Sequence, residues 1–283
     1  MDDITKEKVI QWLPIRNKDT YKNKLGSVLC IGGNKEMGGA IILSAKAALN
    51  SGAGLVTVAS SSKNRTAIYS HLPEVMFKEA SNQVALAKAI KTSDIILLGP
   101  GLGRDSESKT IFKFVLKHVQ EGQWLVLDAD ALYFYADLPT DYQFNTKNII
   151  LTPHLGEWET MSAIEAPASQ VQENQEFVDR LQSIVVLKKS RTEVYVHGEV
   201  WKNTAGNPSM ATGGMGDTLA GIIAGLLGQY SNKKEAILSA VYIHSAIADY
   251  LAEDYYVTLP SLISQELPKF MKKLSIEAIK KNH

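Results

Sequence analysis

The sequence predicts an α/β protein in which helices cover both faces of a mostly parallel sheet. Two observations predict this class. Apolar runs of about four to six residues recur along the chain, and such runs are typical of strands buried on both faces. Helical segments separate most of these runs, as in β-α units. Because we find no internal repeat or linker, we expect one domain over residues 1–283.

The predicted strands of the parallel sheet follow one another in the first two thirds of the chain. In order they are Ser27–Ile31, Leu55–Ala59, Asp94–Leu98, Trp124–Leu127, Asn148–Leu151 and Ser183–Leu187. The helices predicted among them include Gly39–Ser51, Ser108–His118, Ala129–Ala136 and Ala168–Leu181.

The pattern changes after Lys188. Glu193–His197 alternates, Gly198 marks a turn, and Val200–Asn203 completes a small antiparallel hairpin that we expect at the sheet edge. Helices are then predicted at Asp217–Leu227, Lys233–Glu253 and Leu262–Lys281. A short apolar helix at Val9–Leu13 is a candidate element of an oligomer interface.

Composition and charge exclude several classes of protein. Thirty basic residues balance thirty acidic ones, so no net field would attract a nucleic acid. No apolar run approaches the roughly 18 residues that would span a membrane. The single cysteine, Cys30, cannot form an internal disulfide, and the charged N-terminal segment lacks the apolar core of a signal peptide. We therefore expect a cytoplasmic protein that binds neither nucleic acid nor membrane.

Polar residues and glycines follow five of the predicted strands. Ligands of parallel sheets bind beyond the carboxyl ends of the strands, so these segments predict one continuous cleft. The segments are Gly32–Asn34, Gly99–Gly103, Asp128–Asp130, Thr152–Glu157 and Lys188–Thr192.

The most informative segment is Asn207–Gly221, in which Thr212 and three glycines precede Asp217 and an apolar helix. Glycines let the backbone turn N–H groups toward a ligand, and the helix adds its positive dipole end. The pattern predicts an anion hole for phosphoryl oxygens, built by Gly213, Gly214, Met215 and Gly216. Asp217 is then either the base that accepts a proton from an attacking hydroxyl or a plain N-cap.

Two further groups keep two interpretations each at this point, and a third is a weaker signal. Asp128 and Asp130 either bind Mg²⁺ through water or cap the helix that follows. His154 is either a structural or solvated side chain or part of the cleft. The glycines of Gly32–Gly39 and Gly99–Gly103 lack the spacing of a P-loop and of a dinucleotide-binding turn.

The segment Asn207–Gly221, NPSMATGGMGDTLAG, resembles the signature of the ADP/ATP-dependent NAD(P)H-hydrate dehydratases of the ribokinase-like superfamily. The likeness runs from about Gly26 to Leu251. It includes Gly99–Gly103, the Asp-Ala-Asp-Ala-Leu block at Asp128, and Thr152-Pro153-His154. Three residues depart from the family pattern: Leu155 for the usual Pro, Lys189 for Gly, and Met215 for Ser or Thr.

This resemblance implies a ribokinase-like three-layer α/β/α fold and a hydro-lyase that repairs damaged coenzymes. The implied reaction converts the S forms of the hydrates NADHX and NADPHX back to NADH and NADPH, with ADP or ATP as co-substrate and Mg²⁺. The implied hydrate contacts are Ala40, Gly103, His154 and Asp217, with Asp217 as catalytic base. The implied nucleotide contacts are Lys188, Lys189, Ser190, Arg191, Thr192 and Gly216. The resemblance also implies a homo-oligomer, a tetramer as in the family, and an epimerase on a separate protein.

Two other functions remain open from the sequence. A ribokinase-like kinase of a small alcohol or vitamin precursor would use the same anion hole and base, but would release a stable phosphoester. A non-catalytic nucleotide-sensing module would bind without turnover and would have no need of Asp217.

Overall fold

The computed structural model describes residues 1–139, 141–164, 171–196 and 198–281. Within these residues, ten strands form one sheet and eleven α-helices surround it. The strands are β1 (Asp2–Ile4), β2 (Ser27–Ile31), β3 (Leu55–Ser60), β4 (Met76–Glu79), β5 (Ile95–Leu98), β6 (Trp124–Leu127), β7 (Ile149–Leu151), β8 (Ile184–Leu187), β9 (Glu193–Val196) and β10 (Glu199–Asn203). The helices are α1 (Lys6–Trp12), α2 (Gly38–Asn50), α3 (Arg65–His71), α4 (Gln83–Lys91), α5 (Ser106–His118), α6 (Asp130–Ala136), α7 (Leu155–Ser162), α8 (Val171–Leu181), α9 (Met215–Leu227), α10 (Lys233–Leu251) and α11 (Pro260–Lys281).

The strand order across the sheet is β4-β3-β2-β5-β6-β7-β8-β9-β10-β1. Neighbouring strands from β4 to β8 are parallel, and β9 is antiparallel to both of its neighbours. The predicted hairpin is therefore confirmed as β9–β10. The N-terminal strand β1 pairs in parallel with β10 and forms the outermost strand on that side.

Two apolar cores lie on opposite faces of the sheet, which gives the three layers that the sequence predicts. Alternate residues of β2 show the division, because Val28 and Cys30 belong to one core and Leu29 and Ile31 to the other. The first core contains residues of α1, α2, α9, α10 and α11, and the second contains residues of α4, α5, α6, α7 and α8. Both faces of the central strands are thus buried, which explains their continuous apolar sequences.

Helix α9 is held rigidly against α2, and this contact fixes the helix end that faces the cleft. Ten consecutive residues, Thr218–Leu227, are buried. Gly221 and Gly225 allow the close approach, since a Cβ on them would lie 2.2 Å from the Ser44 carbonyl oxygen and 2.0 Å from Ser51 Oγ. Substitution at either glycine would push the two helices apart, because backbone and buried atoms leave no room.

The predicted helices and strands agree with the structure to within a few residues at their ends. The start of the helix predicted at Ala168 and the last residue of the strand predicted to end at His197 lie outside the described residues. The N-terminal helix is present as α1, and its residues Val9 and Ile10, together with Leu13, are buried in the chain's own core. A role for this helix in an oligomer interface stays a prediction, and these buried side chains do not support it. Among the described helices, none has the length and apolar character to cross a membrane.

Candidate active site

Three strand ends meet in a buried polar cluster at the carboxyl edge of the sheet. Asp128 follows β6, Thr152 follows β7 and Lys188 follows β8. The Lys188 ammonium and the Thr152 hydroxyl both donate to Asp128 Oδ1, each at 2.7 Å. Asp128 is 1% exposed, so this carboxylate is stabilised by its partners and not by water.

The structure excludes one of the two roles that the sequence left open for Asp128 and Asp130, namely capping of helix α6. The N-cap of α6 is Ala129, with φ at +49°, so neither aspartate caps the helix by its side chain. Asp130 instead accepts from the Gly103 amide at 2.8 Å and from Arg104 Nε at 2.9 Å, which shapes the loop after β5. In the residues that the structure describes, no group of three or more His, Cys, Asp or Glu side chains is placed to hold a metal ion.

Asp217 is the third residue of α9, and the N-cap is Gly214 in the left-handed conformation at φ +89°. The N-cap interpretation of Asp217 is therefore wrong. Burial and, to a smaller extent, the charge of Asp128 raise the pKa of Asp217, the Lys188 ammonium opposes them, and the net pKa is about 6. Such a carboxylate is ionised at neutral pH, yet it is a stronger base than a solvated aspartate.

Lys188 lies between the buried carboxylate and the N-terminal turn of α9. A Cβ on Gly216 would lie 3.0 Å from Lys188 Nζ, so the ammonium rests directly against that glycine. Burial by itself would lower the pKa of Lys188, but Asp128 and Glu157 raise it, and the net pKa is raised. A charged ammonium therefore stands beside the predicted anion hole.

The first turn of α9 has the backbone geometry that an anion hole needs. The first amides of a helix have no partner inside the helix, and here they are those of Met215, Gly216 and Asp217. Gly213 comes just before this turn, and a Cβ on it would meet nothing within 4 Å. The left-handed Gly214 directs the chain into the helix, and a Cβ there would lie 2.5 Å from Leu43 Cδ1 of α2.

A cavity of about 720 Å³ opens beside this turn. One wall is the β8–β9 loop, Lys188–Thr192, which contributes Lys188 and Arg191 as cations. The other walls are mostly apolar and include Pro208, Met210 and Leu219. The cavity is lined by all of the residues assigned to the nucleotide by resemblance: Lys188, Lys189, Ser190, Arg191, Thr192 and Gly216. Its lining therefore combines cationic and apolar side chains.

His154 has both a structural and a cleft-facing role. As N-cap of α7 it forms a capping box, in which Nδ1 accepts from the Glu157 amide at 3.2 Å and Glu157 Oε2 accepts from the His154 amide at 2.8 Å. The side chain is nevertheless 60% exposed. It lines the large cavity and also an adjoining pocket of about 220 Å³.

Of the residues assigned to the hydrate, Gly103 and His154 lie outside helices and strands, whereas Ala40 lies on α2 and Asp217 on α9. Asp130, which holds Gly103, and Glu157, which holds His154, are both near enough to raise the pKa of Asp217. Ala40 lies on α2 against the loop after β5, because a Cβ on Gly101 would be 3.0 Å from the Ala40 Cβ. His154 lines the large cavity, whereas Ala40, Gly103 and Asp217 are not among its lining residues. The individual hydrate and nucleotide contacts stay predictions.

Sequence reasoning missed one buried pair beside the cavity. Lys189 Nζ lies 2.6 Å from Glu193 Oε1, with side chains 8% and 3% exposed. The ammonium of Lys189 is thus committed to Glu193, and only the rest of the residue is left for the nucleotide contact expected from the resemblance. The only sequence signal for this pair was the spacing of four residues between two opposite charges. That spacing indicates a contact on a helix, but here the two residues are separated by a loop, so it did not predict the pair.

Comparison with known proteins gives the same family as the sequence motifs. A family model described as NAD(P)H-hydrate dehydratase matches residues 28–269. The chain is 45% identical over 262 residues to the ADP-dependent (S)-NAD(P)H-hydrate dehydratase of Staphylococcus aureus, which covers 93% of this chain and 94% of that protein.

Two solved structures are also similar over nearly their whole length. A ribokinase-like superfamily protein from Enterococcus faecalis has a TM-score of 0.93 and 41% identity, covering 97% of this chain and 96% of that one. The ADP/ATP-dependent NAD(P)H-hydrate dehydratase of Bacillus subtilis, co-crystallised with ATP and Mg²⁺, has a TM-score of 0.85 and 30% identity, covering 96% and 98%. This chain therefore belongs to the NAD(P)H-hydrate dehydratase family and has the ribokinase-like fold.

Proposed function

We propose that this protein is a hydro-lyase that converts the S forms of NADHX and NADPHX to NADH and NADPH, using ADP or ATP as the phosphoryl donor. Family membership supports the reaction, and the relatives' names specify ADP and the S epimer. The observation that carries the proposal for this chain is Asp217. Its carboxylate has a pKa raised to about 6 and stands on the first turn of α9, of which Met215 and Gly216 line the cavity.

The first step is activation of the ring hydroxyl. The Asp217 carboxylate accepts the hydroxyl proton, and the oxygen attacks the terminal phosphoryl group of the nucleotide. The bond from that phosphorus to the nucleotide's bridging oxygen breaks, and AMP leaves when ADP is the donor. The hydroxyl, a poor leaving group, thereby becomes a phosphate ester.

Negative charge develops on the phosphoryl oxygens during this transfer. The amides of Gly213, Gly214, Met215 and Gly216 are the donors we assign to these oxygens. The Lys188 ammonium, which rests against Gly216, adds a fixed positive charge on the same side. Its pair with Asp128 holds it in place, so little reorganisation is needed when charge develops.

Mg²⁺ fits this site as an ion carried by the nucleotide. Mg²⁺ usually keeps several waters and binds one or two carboxylates together with substrate phosphates. The residues described in the structure offer no cage of three ligands, whereas Asp217 and Asp128 are carboxylates of the required kind. Bound there, the ion would supply charge neutralisation to the phosphates.

Elimination completes the reaction. The lone pair of the ring nitrogen expels phosphate, and loss of a proton from the neighbouring ring carbon restores the dihydronicotinamide. Atoms balance, since the hydrate and ADP give the reduced coenzyme, AMP and inorganic phosphate. A homo-oligomer and a separate epimerase remain predictions of the resemblance.

The test is to mix purified protein, hydrate, ADP and Mg²⁺ and to record recovery of dihydronicotinamide absorbance. Asp217→Asn should lose turnover while it still binds ADP. The matched control is Asp137→Asn, because Asp137 is an exposed aspartate paired only with Lys109 at the surface. A stable phosphoester as the product would favour the small-alcohol kinase. Normal turnover by Asp217→Asn would disprove its role as base.

A further inference from the structure

A chain of buried polar contacts begins at Lys189 and leads away from the cavity. Lys189 Nζ pairs with Glu193 Oε1 at 2.6 Å, and the Tyr195 hydroxyl donates to Glu193 Oε2 at 2.7 Å. Asn174 Nδ2 donates to the Tyr195 oxygen at 3.1 Å, and Trp158 Nε1 donates to Asn174 Oδ1 at 2.8 Å. We call these five residues the Lys189 relay.

The relay is almost entirely dry. Glu193 is 2% exposed, Tyr195 0%, Trp158 1% and Asn174 7%. Because water cannot reach these groups, each contact takes the place of a hydrogen bond to water. A buried charge that loses its partner is therefore strongly unfavourable. Burial and Glu193 raise the pKa of Tyr195, so its hydroxyl keeps its proton and remains a donor.

The two ends of the relay belong to two walls of the cleft. Lys189 and Glu193 bracket the β8–β9 loop, so their pair closes the loop at its base. Trp158 lies in the first turns of α7, and its amide bonds to the carbonyl of the N-cap His154 at 2.9 Å. Lys188 also donates its amide to the Pro153 carbonyl at 2.8 Å, so the walls are already adjacent through their backbones.

We infer that Lys189, through Glu193, is a positioning residue for the nucleotide loop, and that the relay ties this loop to the helix that presents His154. This inference rests on the proposed function, because it takes the cavity beside the loop to be the ADP site. A loop fixed at its base presents Ser190, Arg191 and Thr192 to the nucleotide without an ordering cost at each binding event.

The test measures ADP affinity by calorimetry in the presence of Mg²⁺. Lys189→Met should weaken ADP binding about tenfold, since ordering one loop side chain costs about that factor. The double variant Lys189→Met/Glu193→Gln removes the unpaired buried carboxylate and should recover thermal stability. It should still bind ADP weakly, because the loop is no longer pinned. Recovery of wild-type affinity by the double variant would show that the pair only balances charge, and would overturn the inference.

The far end of the relay supplies a stricter test. Trp158→Phe removes one N–H donor and keeps an aromatic ring against Phe177. This variant should weaken ADP binding severalfold and raise KM for ADP with kcat unchanged. Trp158 is not one of the residues that line the cavity, so such an effect must act through the relay. The control is Trp201→Phe, which removes an equivalent indole donor to Glu199 outside the relay and should leave ADP affinity unchanged.

The outcomes separate the two proposals. If the wild-type protein fails to bind ADP, the proposed function and this inference both fail. If the wild type binds ADP and converts the hydrate, and Lys189→Met and Trp158→Phe both bind ADP with wild-type affinity, only this inference fails.

Discussion

Replacement of the proposed base should make the protein more stable. Burial is the main reason that the pKa of Asp217 rises from 3.8 to about 6 in the folded chain. A carboxyl perturbed in this way destabilises the folded state at neutral pH by at most roughly 3 kcal/mol. Because Asp217 is partly exposed, we expect the neutral Asp217→Asn variant to gain about 1–2 kcal/mol in free energy of unfolding, which raises Tm by roughly 2–4 °C.

The pH dependence of this gain has a definite sign. The pKa of the folded state lies above that of the unfolded chain, so the cost of the charge is complete above pH 6 and fades as the pH falls toward 3.8. Thermal melts of wild type and Asp217→Asn at neutral pH and near pH 5 should therefore show the stability gain falling to about half. Asp137→Asn, at an exposed site, should show no gain at either pH.

A variant that is less stable than wild type at neutral pH would refute this reasoning. So would a gain that stays constant between the two pH values, because it would come from packing and not from a buried charge. A gain in stability with loss of turnover would identify Asp217 as a residue held in an unfavourable environment for its chemistry.

Three further predictions concern the surrounding groups. Turnover should fall as the pH drops through about 6, because Asp217 is then protonated; a pH–rate profile checks this. Lys188→Met should lower the free energy of unfolding, measured by denaturation, by roughly 3 kcal/mol, because the buried Asp128 loses its partner. It should also move the acid limb of the pH–rate profile to higher pH, because Lys188 lowers the pKa of Asp217. Gly213→Ala should leave stability within about 0.5 kcal/mol, since its Cβ meets nothing, yet should raise KM for ADP. Gly214→Ala, which clashes with Leu43, should lower Tm instead.

The central sheet and the glycine-rich start of helix α9 were predictable from local sequence. Strands such as Ile95–Leu98 are buried on both faces and therefore carry continuous apolar runs. The edge strand Met76–Glu79 was missed because it is half exposed and includes Lys78 and Glu79. The strand Asp2–Ile4 was missed because its partner β10 lies about two hundred residues away in the chain, and a pairing of that separation leaves no local pattern.

The cleft was predicted as a set of strand ends, but the partners within it were not. Asp128 and Lys188 are separated by sixty residues. From the sequence alone, either side chain could have faced solvent, and Asp128 could also have bound a metal ion. Only the sheet order, which places β7 between β6 and β8, brings them together. The first helical residue of α9 was also missed by two positions, because Met215 and Gly216 have no strong helix signal, and this error had left the N-cap interpretation of Asp217 open.

The central claim is that the ring hydroxyl leaves as part of a phosphate. The most direct measurement uses a hydrate whose ring hydroxyl carries a heavy oxygen isotope, incubated with the protein, ADP and Mg²⁺ in ordinary water. The account predicts that the label appears in inorganic phosphate, with one labelled oxygen for each coenzyme restored. Label in water, with unlabelled phosphate, would mean that the nucleotide is cleaved separately and would contradict the mechanism.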